Sequence, residues 1–69
     1  MDEKIKSFLD EIEKLCKKYE LSISHEDLGH GDFIIEDYDE YNIEWLRSAR
    51  VEIDGHDGYI RNGNIKWYR

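Results

Sequence analysis

Seven apolar side chains near the start of the chain repeat with the period of a helix, and this stripe restricts the fold more than any other feature. Ile5, Phe8, Leu9, Ile12, Leu15, Cys16 and Tyr19 fall at offsets of 3, 4, 7, 10, 11 and 14 from the first. That is one face of a 3.6-residue helix, and it predicts a helix over residues 3–20. Lys4, Lys6, Glu11, Glu13, Lys14, Lys17 and Lys18 form the opposite face. Asp2 is the expected N-cap, and lysines crowd the last turns, where they suit the helix dipole. Glu13–Lys17 and Asp10–Lys14 are i,i+4 pairs in the favourable order. An isolated helix cannot bury such a stripe in water, so something flat must cover it.

The rest of the chain supplies candidates for that cover. Leu21-Ser22-Ile23-Ser24-His25 alternates apolar and polar, the period-2 mark of a half-buried strand. Residues 26–32 carry Gly29, Gly31 and three acids, a loop composition. Phe33–Tyr38 reads as a second strand, central by its richer apolar content. Ile43, Leu46 and Ala49, with Trp45 beside them, fit a short helix over 41–49 capped by Asp39 or Asn42. Val51-Glu52-Ile53 returns to alternation, and Asp54–Gly58 reads as a turn. Asn62-Gly63, between Tyr59-Ile60 and Ile65–Tyr68, is a strong hairpin signal. The expectation is a single small α+β domain over 1–69: a long N-terminal helix packed by the apolar face of a small antiparallel sheet, with a short second helix. The element order is helix-strand-strand-helix-strand-strand.

Charge narrows the partners. The 69 residues hold 17 Asp+Glu and 10 Lys+Arg, for a net charge of −7. Residues 26–57 contain eleven acids and only Arg47 and Arg50, so the excess lies in the middle of the chain. Nucleic acid binds through cationic contacts to phosphate, so direct nucleic-acid binding is not expected. No apolar run approaches the roughly 18–20 residues of a membrane span, and no signal-like segment is visible. With one cysteine no intrachain disulfide can form, and the expected location is the cytoplasm. So small a core gives marginal stability, which a homodimer or bound partner would raise.

One stretch carries a resemblance. Lys14-Leu15-Cys16-Lys17-Lys18-Tyr19, Leu21-Ser22-Ile23-Ser24-His25-Glu26-Asp27, Gly31, Phe33-Ile34-Ile35-Glu36, Tyr38 and Asn42-Ile43-Glu44-Trp45-Leu46 together resemble a family of short proteins of phages and prophages of Gram-positive bacteria. The likeness spans about residues 5–50. The family has a tighter loop between Asp27 and Phe33 than this chain, and its tails vary over the region matching 51–69. The resemblance implies a phage origin and brings no catalytic residues. By analogy with other small acidic phage proteins it implies a blocker of host enzymes or defence complexes, anti-CRISPR proteins among them.

Three constellations could carry chemistry. His25, Glu26, Asp27, His30 and Asp32 hold imidazoles and carboxylates close together, so His25, His30 and Asp32 are candidate metal ligands. The spacing is not the helical HExxH, and a glycine-rich turn accounts for the same residues without a ligand. Asp54-Gly55-His56-Asp57-Gly58 alternates oxygens as a calcium loop does, but its twelfth position is Ile65, and turn chemistry suffices. The third combines Glu36, Asp37, Asp39, Glu40 and Glu44 with Tyr38, Tyr41 and Trp45. Carboxylates studded with aromatics suit a basic nucleic-acid-binding groove on another protein, standing in for phosphates. The competing reading turns Trp45 and one tyrosine into the core and leaves the acids as caps and solvated surface. Cys16 sits on the apolar stripe, and no serine lies in a nucleophile elbow, so no enzymatic activity and no cofactor are expected.

The functional expectation is therefore a non-enzymatic inhibitor of a host nucleic-acid-processing or defence complex, such as a CRISPR nuclease. It would dock Glu36, Asp37, Tyr38, Asp39, Glu40, Tyr41 and Glu44 on a basic protein or nucleoprotein. The alternative is a small-molecule or metal-binding protein, for instance a sponge for a defence signalling nucleotide.

Overall fold

A computed structural model describes residues 2–26 and 31–68. The chain runs α1 (Asp2–Tyr19), β1 (Leu21–His25), β2 (Phe33–Asp37), α2 (Glu40–Leu46), β3 (Arg50–Ile53), β4 (His56–Arg61) and β5 (Asn64–Trp67). This is the α+β architecture expected from the sequence, with a third strand in the C-terminal part. The strands form two separate antiparallel sheets, β1-β2 and β3-β4-β5. In a two-stranded sheet β2 is not central, contrary to the expectation drawn from its apolar content.

The main core lies at the N-terminal half of α1. Ile5 packs with Val51, Ile60 and Ile65 of the three-stranded sheet, and Leu9, Ala49, Ile53 and Trp67 surround them. Both hairpins of this sheet turn on two residues, Asp54-Gly55 and Asn62-Gly63. All four of these residues have positive φ, the conformation that such tight turns require. Asp2 lies inside α1 rather than capping it, and its carboxylate accepts a hydrogen bond from Trp67 Nε1 at 3.1 Å. The last strand is thereby tied to the first turn of the helix.

Trp67 needs the absence of a side chain opposite it. Gly58 is its register partner, and a Cβ there would stand 2.7 Å from the Lys66 carbonyl oxygen and 2.9 Å from Trp67 Cε3. Gly58→Ala is therefore expected to lower stability by about 1–3 kcal/mol, the usual range for overpacking. Thermal unfolding followed by circular dichroism measures it, and a melting temperature equal to that of the unaltered protein would contradict the packing described.

Candidate functional site

The acidic segment is positioned by a polar joint. In the β1-β2 register Leu21 faces Asp37 and Ile23 faces Ile35, while Ser22 faces Glu36 and Ser24 faces Ile34. Alternation puts the first two pairs on one side of the hairpin and the other two on the opposite side. The serine side carries α2. Asn42 Nδ2 donates to Ser22 Oγ at 2.9 Å and to Glu36 Oε1 at 2.8 Å, and Ser22 Oγ donates to the Asp37 carbonyl at 2.7 Å. Ser22 is only 1% exposed. A polar residue is tolerated there because its hydroxyl is satisfied as both donor and acceptor.

Asp39 starts α2 as its N-cap, its carboxylate accepting from the Tyr41 N–H at 2.9 Å. The helix ends at Leu46, three residues short of the expected boundary. Ile43 is its buried residue. Arg47, just beyond, reaches back to α1 and donates through its guanidinium to Asp10 at 2.7 Å and Glu13 at 2.8 Å. Glu13 also takes Lys17 at 2.9 Å. The expected Glu13–Lys17 pair is thus present, whereas Asp10 is engaged by Arg47. Hydrogen bonds from Lys17 and then Arg47 hold the Glu13 carboxyl below its ordinary range. The same contacts raise Arg47, chiefly through Asp10, and raise Lys17 through Glu13.

The seven candidate interface residues run from the end of β2 into α2. Glu36, Asp37, Asp39, Glu40, Tyr41 and Glu44 are exposed, and Tyr38 is half-buried. Tyr41 is 79% exposed, so it has no place in the core. The Tyr38 hydroxyl donates to Glu40 Oε2 at 2.8 Å, and that bond raises its pKa by holding the proton. Trp45 turns to His25, with ring centroids 4.5 Å apart. Local tasks occupy Asp39 as a cap and Glu36 as a partner of Asn42. Among the described residues, the ion pairs engage Asp10, Glu13 and Glu52, and none involves an acid of 36–44.

The other candidates fare differently. His25 Nδ1 lies 3.1 Å from the Glu26 carbonyl oxygen. Asp32 is exposed. Asp27 and His30 lie outside the described residues, and the proposed ligand set with them. Among the described residues no three His, Cys, Asp or Glu side chains converge on a point. Asp54-Gly55 forms the tight turn, and His56, Asp57 and Gly58 belong to β4. Cys16 is buried. No helix of the described chain is long and apolar enough to cross a membrane.

The periodicity gave no warning of how open the apolar side of the hairpin is. Phe33 is 70% and Ile35 67% exposed. A groove of about 190 Å³ runs between α1 and this face, lined by Leu15, Tyr19, Leu21, Ile23 and Ile35, with Cys16 and Ser22 at its floor. The sheet was expected to lay its apolar face fully on the first helix. The helix instead divides its buried residues, Ile5 going to the other sheet and Cys16 to the hairpin side.

The Arg47 contacts generate a pH prediction. Glu13 has a depressed folded-state pKa, so its contribution is present above the ordinary value of 4.5 and is lost as pH falls through the lower folded value. Arg47→Met is expected to cost about 1 kcal/mol at neutral pH and to flatten the acid limb of the stability profile. Urea titrations at several pH values measure both, and an acid limb unchanged by the substitution would contradict the assignment. Asn42→Ala, which strips a partner from buried Ser22, is expected to cost about 1–3 kcal/mol in the same titration. No protein-family model, curated protein or solved structure matches this chain.

Proposed function

We propose that this protein is a non-enzymatic, phage-type inhibitor that blocks a host nucleic-acid-processing or defence complex by docking its acidic face on a basic groove. One observation supports the reading: Glu36, Asp37, Asp39, Glu40 and Glu44 are all exposed, and no ion pair among the described residues engages them. Lys17 acts on Glu40 through space, but the four described ion pairs engage none of these acids, so their field is available to arginines and lysines of another molecule. Tyr41, exposed among these carboxylates, supplies an aromatic anchor of the kind that dominates interface energies. A CRISPR nuclease is one complex whose nucleic-acid channel has the required charge. The protein acts in the cytoplasm of the host in this reading.

The reading predicts a charge-reversal phenotype. Asp39 caps α2, so the reversal belongs at Glu40 and Glu44, which leave the cap intact. The double variant Glu40→Lys/Glu44→Lys is expected to lose a partner that the unaltered protein retains in affinity capture from host lysate. Its circular dichroism spectrum should be unchanged. Duplex DNA should displace the same partner, and molar salt should release it, because screening shortens the reach of surface charge to about 3 Å. A partner held equally well at molar salt, or by the double variant, would overturn the acidic-face mechanism.

A further inference from the structure

The open groove lies on the side of the hairpin away from α2, and it shares Asp37 with the acidic segment. Leu15, Tyr19, Leu21, Phe33 and Ile35 are 54%, 60%, 43%, 70% and 67% exposed. Five large apolar side chains on one face of so small a chain exceed the scattered exposure normal for a monomer. Each leaves on the order of 100 Å² open, so two such faces would bury roughly 1,000 Å², near the lower bound for a specific interface.

The charges around the groove favour one occupant. On the helix side Lys14 and Lys18 flank Leu15, with Glu11 one turn back, and Lys18 Nζ sits 5.2 Å from the centre of the Tyr19 ring. On the β2 side stands Asp37, exposed at the end of the strand and in register with Leu21. A surface with lysines on one side, a carboxylate on the other and apolar side chains between them is its own complement under a two-fold rotation. We propose that the α1–β1–β2 face is the interface of a homodimer, in which each helix lies over the partner's β2 and Lys18 meets the partner subunit's Asp37. Glu40 and Glu44 of both copies remain outside, because α2 packs on the opposite side of the hairpin.

Sedimentation equilibrium on the full chain tests this. The expected mass is twice 8.4 kDa at high concentration. Ile35→Lys and, separately, Phe33→Lys should each return the monomer with an unchanged circular dichroism spectrum; both positions are exposed, so the substitutions leave the core untouched. Lys18→Glu and Asp37→Lys should each weaken the dimer at least several-fold, and the two together should restore it. Tyr68→Lys, just past β5, should leave it intact. A monomer at all concentrations would overturn the proposal. So would a dimer that survives both Ile35→Lys and Phe33→Lys, or one that Tyr68→Lys alone dissolves, which would place the contact at the C-terminal strands.

Discussion

One helix has to serve two sheets. α1 carries a single buried stripe, and its N-terminal half spends that stripe on Val51, Ile60 and Ile65. What remains for the β1-β2 hairpin is Cys16 and the flank of Leu15 and Tyr19. Apolar burial scales with the area removed from water, so the hairpin is held less by that term than the C-terminal sheet is. The polar joint of Ser22, Asn42 and Glu36 makes up the difference from the other side. It fixes α2 on the hairpin and sets where the acids of 36–44 stand. The open groove and the exposed acidic flank are therefore two consequences of the same shortage of apolar cover.

Much of this was legible in the residues. The 3.6-residue stripe placed α1 to within a residue at each end, and Asn62-Gly63 and Asp39 did what their chemistry prescribes. The exposure of Glu36, Asp37, Asp39, Glu40 and Glu44 was legible in their charge. Long-range choices were not. Alternation in Leu21–His25 put the apolar residues inside, yet Ser22 is the buried one, because a partner 20 residues away satisfies its hydroxyl. Arg47 likewise meets acids 34 and 37 positions earlier, which no local pattern announces. The division into two sheets depends on which face of α1 each hairpin reaches, and periodicity leaves that open.

The two hydrogen-bonding devices differ in kind. At the Asn42–Ser22 joint Ser22 is buried, so removing Asn42 strands its hydroxyl, and the value of the bond lies in the penalty of breaking it. The Arg47 contacts to Asp10 and Glu13 are between charged groups and are softened by salt and acid. The protein thus attaches its second helix by a neutral bond to a buried hydroxyl and by a set of charged ones.

The link between α1 and β1 has a consequence for recognition. It consists of Glu20 alone, held at φ 56 and pinned by its carbonyl to the Tyr38 N–H at 3.1 Å. With no slack residues and that bond in place, few rearrangements of the link are open that would change the width of the cleft between helix and hairpin. A molecule entering it has less of the site to order, which is the thermodynamic benefit of preorganisation.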